Sequence, residues 1–197
     1  MEISYLMLGG NVGNRMEYLC RSVDLLRRNA GRITAMSAVY ESEPWGFEDP
    51  CQFLNQVVVL ETNLDPYALL ENIKRIEQTL GRLRTSKHNG YQSRTIDIDI
   101  LFYGDLVINT HDLVIPHQRI TERMFVLQPM SELAPDMEHP VLHRTIAHLK
   151  EHCTDNAQIR PYLGAAHKFL RNTLLWVVAD SNRRPLPCQG NALNQLS

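Results

Sequence analysis

The sequence predicts a mixed α+β fold built on one antiparallel sheet, and three observations support this prediction. Short runs rich in β-branched and aromatic residues indicate strands. Two longer segments have apolar residues three and four positions apart, which indicates amphipathic helices. These segments follow one another as strand, helix, strand, strand, helix, strand. This βαββαβ order is ferredoxin-like, with both helices packed against one face of the sheet.

The first half of this pattern comprises a strand, a helix and two more strands. Gly9 and Gly10 end the first strand, and Gly31 stands where a helix C-terminal glycine belongs. A long loop, EPWGFEDPCQ, separates the last two strands. The four segments are the strand ISYLML, the helix NRMEYLCRSVDLLRRNAG, and the strands RITAMSAVYES and FLNQVVVLET.

The second half begins with the clearest helix, DPYALLENIKRIEQTLG. Asp65 can cap its N-terminus, Pro66 suits its first turn, and Gly81 ends it. A polar, basic loop, RLRTSKHNGYQS, separates this helix from the last core strand. The apolar stripe that predicts a buried helix face consists of Leu69, Ile73, Ile76 and Leu80.

Short elements are predicted after the last core strand. Two LVI runs, Leu106–Ile108 and Leu113–Ile115, are strand-like, and the segments PHQRITERMFVLQPMSELAPD and RTIAHLKEH indicate short helices. From about Asn156 the amphipathic pattern disappears. We therefore predict a domain over residues 1–155 and a C-terminal extension over residues 156–197, the last part of it loosely ordered.

Composition restricts the possible functions. The chain has 197 residues, a formal net charge of −2 and four scattered cysteines without a C-x-x-C pair. This charge indicates no large basic surface for nucleic acid, and the cysteines indicate neither a disulfide framework nor a zinc knuckle. No signal peptide or membrane span is visible. We expect a cytoplasmic monomer that binds neither nucleic acid nor membranes.

The strand RTIDIDILFYGD contains two carboxylates among apolar residues. Because side chains alternate along a strand, Thr95, Asp97 and Asp99 share one face, and the isoleucines share the other. The two aspartates are about 6–7 Å apart and repel each other unless water, arginine or a cation intervenes. One interpretation is an ordinary solvent-facing strand of an antiparallel sheet. The other is a site for a divalent metal ion, since hard cations prefer paired carboxylate oxygens.

Basic residues surround this strand in the sequence. Arginine is suited to bidentate phosphate contacts, and carboxylates beside arginines are what magnesium-dependent phosphoryl transfer from a nucleotide requires. For any one of these residues taken singly, a solvated surface charge is the favoured interpretation, but it is less favoured for the group around one acidic strand. The candidates are Arg82, Arg84, Arg94, His117, Arg119 and Arg123.

The loop and strand EPWGFEDPCQFLN combine three aromatic residues with Asn55. An aromatic ring can stack on a flat heterocycle, and an asparagine amide can both donate to and accept from a pyrimidine-like edge. The alternative is that Trp45, Phe47 and Phe53 are ordinary core residues. The turn LGGNVGNR is not a Walker A motif, although the helix that follows it could polarise a bound anion.

Six segments occur together in the order typical of one enzyme family: LGGNVGNR, SEPWGF, FLNQVV, RIEQTLGRLR, SRTIDIDILFYGD and IPHQRITERMFVLQPMSELAPD. From about Ile3 to Leu149 the chain resembles the 6-hydroxymethyl-7,8-dihydropterin pyrophosphokinases of folate biosynthesis. The resemblance implies transfer of pyrophosphate from ATP to the hydroxymethyl group of the reduced pterin, with release of AMP.

The resemblance also implies roles for individual residues. Asp97 and Asp99 would hold two Mg²⁺ ions and would be catalytic together with Arg84 and Arg94. The loop RLRTSKHNGYQS would be a lid that closes after ATP binds. The implied pterin-binding residues are Ser42, Glu43, Pro44, Trp45, Phe53, Asn55 and Phe125. The implied ATP-binding residues are Lys74, Glu77, Arg84, Arg94, Ile100, His117 and Arg123.

The chain departs from the family pattern at a few positions. The lid often carries a tryptophan, for which only His88 or Tyr91 could substitute here. Asp112 replaces a basic residue of some members, and Gln118 replaces an aromatic one. Two alternatives therefore stay open: a catalytically weakened relative that binds only its ligands, and a ferredoxin-like RNA-binding module. An RNA module would show a basic sheet face, whereas Asp97 and Asp99 repel phosphate unless magnesium is present.

Overall fold

The computed structural model of the protein describes residues 1–82 and 93–163. The lid segment and most of the C-terminal extension lie outside these residues. Within the two described ranges, no helix combines the length and the apolar character needed to cross a membrane. The helices and strands are β1 (Glu2–Gly10), α1 (Arg15–Asn29), β2 (Arg32–Met36), β3 (Tyr40–Ser42), β4 (Phe53–Thr62), α2 (Pro66–Thr79), β5 (Asp97–Tyr103), β6 (Ile108–Asn109), β7 (Val114–Ile115), α3 (Met124–Leu133), α4 (Ile146–Glu151) and β8 (Ile159–Pro161).

The strands of the core form one antiparallel sheet in the order β5-β1-β4-β3-β8, and β2 also pairs with β4. The predicted strand RITAMSAVYES is therefore two strands, which pair one after the other with the same edge of β4. Ser37 lies at the interruption, where its hydroxyl accepts a hydrogen bond from the backbone N–H of Val57 at 3.0 Å. The remaining core order is the predicted βαββαβ order.

The closed face of the sheet is the face covered by α1 and α2. Its strand residues are buried and apolar, among them Leu6 and Leu8 of β1 and Ile98 of β5. The predicted cap of α2 is confirmed, because the Asp65 carboxylate accepts hydrogen bonds from two backbone N–H groups at 2.9 and 3.0 Å. The predicted stripe of α2 is buried as well: Leu69, Ile73, Ile76 and Leu80.

The opposite face, here called the site face, is covered only in part. The helices α3 and α4 pack over one half of it, against Met7, Val57 and Leu101. A bulge in the pairing of β1 with β5 lets Leu101 and Phe102 both join this cluster. The other half of the face is not covered by a described helix. The two aspartates of β5 lie there.

The described part of the predicted extension adds a strand to the sheet. Residues 159–161 form β8, which pairs with β3, and the backbone N–H of Tyr162 donates to the carbonyl of Val39 at 2.8 Å. Residues 164–197 lie outside the described residues, and so does the predicted loose order of the chain end. The division at residue 155 stays a prediction.

Candidate active site

A cleft of about 560 Å³ occupies the uncovered half of the site face. Strand pairing brings its floor together: Gly9 of β1 lies opposite both Asp97 of β5 and Asn55 of β4, and Met7 lies opposite Asp99. Because directly paired residues point to the same side of a sheet, the carboxylates and the amide face one space. The aspartate strand therefore does not face bulk solvent across an open sheet. Its polar side is the floor of a cleft.

Two glycines at the end of β1 allow other groups to approach the strand closely. A Cβ atom on Gly10 would lie 2.3 Å from the backbone oxygen of Thr95, which no packing adjustment of a side chain could relieve. A Cβ atom on Gly9 would lie 3.0 Å from the side-chain oxygen of Asn55. The glycines of the LGGNVGNR turn thus let β5 and the Asn55 amide approach the end of β1.

Asp97 is held between two arginines. One carboxylate oxygen contacts the guanidinium of Arg82 and the other contacts that of Arg94. Arg82 also pairs with Glu77, which is buried at the end of α2 and accepts a hydrogen bond from the backbone N–H of Ile98 at 2.9 Å. Glu77 therefore connects α2 to β5 and orients Arg82 toward the floor of the cleft.

Asp99 is the carboxylate next to Asp97 on the same face. The pKa of Asp99 is raised to about 7, first by burial and then by the negative charge of Asp97. The positive charges of Arg123 and Arg94 act in the opposite direction. Additional positive charge in the cleft would favour the ionised form of both carboxylates at once.

Asn11, in the turn after β1, attaches Arg94 to the neighbouring loops. Its side-chain oxygen accepts a hydrogen bond from the Arg94 backbone N–H at 2.8 Å, and its own backbone N–H donates to the Arg94 carbonyl at 3.0 Å. Its amide nitrogen donates to the hydroxyl of Ser93 at 3.1 Å and to the carbonyl of Cys51 at 3.4 Å. The LGGNVGNR turn, for which the sequence suggested anion binding, thus fixes the backbone of Arg94.

Aromatic and polar residues line the side of the cleft beyond Asn55. The Asn55 amide donates to the buried hydroxyl of Ser42 at 2.8 Å. The guanidinium of Arg123 lies 4.7 Å from the centre of the Trp45 ring and 5.6 Å from that of Phe125. These contacts are at cation–π distance, and they hold Arg123 between two aromatic walls.

His117 lies at the rim of the cleft, after the cis peptide bond between Ile115 and Pro116. The pKa of His117 is lowered to about 4, first by burial and then by the positive charge of Arg123. The ring is therefore neutral near pH 7. Its Nδ1 atom accepts a hydrogen bond from the Arg119 backbone N–H at 3.2 Å, which leaves the hydrogen on Nε2 as a donor.

Comparison with protein families identifies this arrangement. The sequence model of the 7,8-dihydro-6-hydroxymethylpterin-pyrophosphokinase (HPPK) family matches residues 5–135, which is more than half of the chain. The chain belongs to this family.

Curated relatives agree. The 2-amino-4-hydroxy-6-hydroxymethyldihydropteridine pyrophosphokinase of Bacillus subtilis is 42% identical over 138 residues, which cover 70% of this chain and 81% of that protein. The protein of the same name from Porphyromonas gingivalis is 41% identical over 141 residues, covering 71% of this chain and 95% of that protein. A folic acid synthesis protein of Pneumocystis carinii is 36% identical over 167 residues, but the match covers only 22% of that protein.

Solved structures agree on the fold. The HPPK-DHPS protein of Plasmodium falciparum aligns with a TM-score of 0.64 at 20% identity, covering 76% of this chain and 44% of that one. The predicted ferredoxin-like α+β fold is thereby confirmed. As a member of the HPPK family, the chain is an ATP-dependent pyrophosphokinase of folate biosynthesis. It transfers pyrophosphate from ATP to the hydroxymethyl group of 6-hydroxymethyl-7,8-dihydropterin and releases AMP.

Most residues that the HPPK resemblance implied line this one cleft. They are Ser42, Glu43, Trp45, Phe53, Asn55, Arg94, Asp97, Asp99, Ile100, His117, Arg123 and Phe125. Three others do not line it. Pro44 lies between two lining residues, Lys74 pairs with Glu71 on α2 at 2.7 Å, and Glu77 is buried behind Arg82. Arg84, His88 and Tyr91 lie outside the described residues, together with the lid prediction.

The cleft also includes residues that were not among the pterin-binding, ATP-binding or catalytic residues implied by the resemblance. From the sequence, Arg82 was only one of several candidate phosphate ligands. Its position just after α2 did not predict its ion pair with Asp97. Leu70 immediately follows a residue of the buried α2 stripe, so periodicity alone could have placed it at the edge of the core. The other such lining residues are Met7, Gly9, Phe47, Ile98, His111, Asp112, Leu113, Val114, Gln118 and Arg119.

Proposed function

We propose that the cleft on the site face performs the HPPK reaction with two Mg²⁺ ions held by Asp97 and Asp99. One observation supports this most directly. The two carboxylates share the floor of a cleft with Asn55, while arginines and aromatic residues form its sides. This places the groups suited to metal, phosphate and heterocycle in one space.

The donor set fits magnesium. Mg²⁺ in phosphoryl-transfer sites is usually held by one or two carboxylates, with substrate phosphates and water completing its octahedron. Asp97 and Asp99 are two such carboxylates, and a bound cation would favour the ionised form of Asp99, which burial and the charge of Asp97 disfavour. When bound, the ions would neutralise charge on the phosphates and on the attacking oxygen. A site with only these two aspartates would lose its metal without ATP more readily than a closed protein cage.

The nucleotide would occupy the side of the cleft with the basic residues. Arg94 and Arg123 offer planar guanidinium groups to phosphate oxygens, and His117 offers a neutral N–H donor. Arg84 is assigned to the same role from the family resemblance. Ile100 and the neighbouring apolar residues would contact the base, and Lys74 and Glu77 would lie near the nucleotide on α2.

The pterin would bind on the aromatic side. Phe53 and Phe125 both line the cleft and would enclose a flat ring, and the Asn55 amide, which donates to Ser42, would read its pyrimidine edge. The backbone of residues 42–45, from Ser42 through Glu43 and Pro44 to Trp45, would complete the recognition of that edge.

The chemistry assigned to the protein is positioning and charge stabilisation. The hydroxymethyl oxygen of the pterin attacks the β-phosphorus of ATP, its proton leaves, and the bond from that phosphorus to the α–β bridging oxygen breaks as AMP departs. The described arginines stabilise the charge that develops on the transferred group. The predicted lid would exclude water, which would otherwise compete with the hydroxymethyl group.

The test is AMP release from ATP, with pterin present or omitted and with magnesium present or chelated. AMP that forms only when pterin and magnesium are both present supports the proposal. ATP binding without AMP release would instead identify a weakened relative. Magnesium-independent binding of RNA without binding of ATP would favour the nucleic-acid module, and both of these results would overturn the proposed mechanism.

A further inference from the structure

The N-terminus of α3 is capped by a residue far away in the sequence. Helices usually begin with a Ser, Thr, Asp or Asn whose side chain accepts a hydrogen bond from the first turn. The residue at this position of α3 is Arg123, whose side chain makes no such bond. Instead, one carboxylate oxygen of Asp155 accepts a hydrogen bond from the Met124 backbone N–H at 2.9 Å.

The use of a distant residue as the cap of α3 has a physical reason. Arg123 cannot cap its own helix, because a guanidinium has no acceptor for a backbone N–H. Its side chain is largely buried and lies over the rings of Trp45 and Phe125 instead. The helix N-terminus still has backbone N–H groups without intrahelical partners and a partial positive charge. A carboxylate supplied by another part of the chain satisfies both requirements.

Asp155 begins a connection from the start of α3 to strand β3. Its second carboxylate oxygen accepts a hydrogen bond from the Ala157 backbone N–H at 3.0 Å. The chain then forms β8, in which Ile159 pairs with Ser42 of β3. Ser42 is the residue that orients the Asn55 amide. We call residues 155–161 the strap, because they join the start of α3 to β3.

We propose that Asp155 is a positioning residue for the pterin side of the cleft. By holding Met124, it fixes the two neighbours of that residue, Arg123 and Phe125, relative to Trp45. The strap adds a second attachment at Ser42. This inference rests on the proposed function, because it assigns Phe125 and the residues around Asn55 to pterin. Asp155 itself lies beyond residues 5–135, the part of the chain that the family model matches.

The proposal predicts a change in pterin binding that a loss of stability alone does not explain. In the full-length chain, Asp155→Ala removes the acceptor for two backbone N–H groups, so the first turn of α3 shifts and Phe125 moves with it. A lost helix cap corresponds to a change of about three- to tenfold in an equilibrium constant. We expect the KM and Kd for pterin to rise by about that factor, and the KM for ATP to rise as well, because Arg123 also neighbours Met124.

The chain offers a matched control in Asp65→Ala. Asp65 also caps a helix with hydrogen bonds to two N–H groups, but it caps α2 and does not line the cleft. Both variants should lower the melting temperature by similar amounts, and only Asp155→Ala should weaken pterin binding. Equal pterin KM values in the two variants would overturn the proposal. Asp155→Asn keeps one acceptor oxygen and should recover part of the affinity.

A second measurement is independent of turnover. The chain has two tryptophans, Trp45 and Trp176, so a Trp176→Phe background isolates the emission of Trp45. Asp155→Ala should change this emission, because Arg123 lies over the Trp45 ring, and Asp65→Ala should not. If the wild type failed to release AMP, the proposed function would fail while this readout still tested the strap. Unchanged emission together with unchanged pterin Kd would remove Asp155 from any positioning role.

Discussion

The two faces of the sheet are built from the same strands but have opposite compositions. On the closed face, β1 contributes Leu8 to the apolar core under α1 and α2, and β5 contributes Ile98, which also reaches the edge of the cleft. One residue along each strand, the site face presents Gly9 and Asp97 to a cleft. Strand alternation thus separates the two roles with a period of two residues.

This difference indicates where stability and function reside. Apolar burial on the closed face lowers the free energy of the folded state, and nothing there has to move or titrate. The site face holds carboxylates close together, and half of it is left without a described helix. Such an arrangement costs stability, which is expected where a protein must bind charged ligands. Substitutions on the two faces should therefore produce separable effects.

The largest effect is expected from Asp99→Asn. This change keeps the shape of the side chain but removes a negative charge that the proposed Mg²⁺ ions require. We expect kcat to fall by about a thousandfold or more, equivalent to about 4 kcal/mol of transition-state stabilisation. Steady-state AMP release measures this loss.

Thermal unfolding without magnesium is the control for Asp99→Asn. The raised pKa of Asp99 shows that its ionised form is unfavourable in the empty cleft, so the variant should be at least as stable as the wild type. Near-normal turnover would contradict the assignment of Asp99 to the metal site.

The matched change on the closed face is Leu8→Ala. Leu8 is completely buried and lies between Met7 and Gly9, both of which line the cleft. Removing its side chain should lower the free energy of unfolding by about 3 kcal/mol, through lost burial and a new cavity. Urea unfolding measures the loss. The folded variant should keep its KM values within about twofold, and a selective change in catalysis with wild-type stability would show that the faces are not independent.

The next effect concerns pH and His117. Its folded-state pKa of about 4 lies below the value of about 6.5 expected in the unfolded chain. The unfolded state therefore binds a proton first as pH falls. Stability from this group is fully present above pH 6.5 and is lost between pH 6.5 and pH 4, by up to about 3 kcal/mol.

The measurement for His117 is the free energy of unfolding against pH, in the presence of a chelator. Other groups titrate in the same range, so His117→Gln serves as the reference. Its profile should be flatter than that of the wild type between pH 6.5 and 4. Parallel profiles would mean that burial of His117 does not disfavour its charged form.

The smallest effect is expected for Lys74→Ala, at the border between the faces. Its ion pair with Glu71 is partly exposed and should contribute at most about 0.5 kcal/mol to stability. If Lys74 also reaches the nucleotide, as the family resemblance predicts, the KM for ATP should rise by about two- to threefold, since 1.4 kcal/mol corresponds to tenfold. An unchanged KM would limit Lys74 to its pair with Glu71.

Local pattern in the sequence was sufficient for much of this protein. Alternation in β5 predicted that Asp97 and Asp99 share a face, and the residue types around α2 predicted its cap and its buried stripe. These features depend on neighbours within a few residues, for which backbone geometry sets the spacing. The family resemblance then named about half of the residues that line the cleft, through motifs that occur together in this family.

The tertiary structure alone decided how distant groups combine. Nothing local indicated that Arg82 would join Glu77 to Asp97, that Asn11 would hold Arg94, or that Asp155 would cap α3. The residues in these contacts are separated by different numbers of positions along the chain. No periodic pattern in the sequence therefore predicts them. They depend on strand register and on helix placement, which the packing of the whole sheet determines. The sequence therefore determined which groups face the cleft, and the tertiary structure decided which groups hold them there.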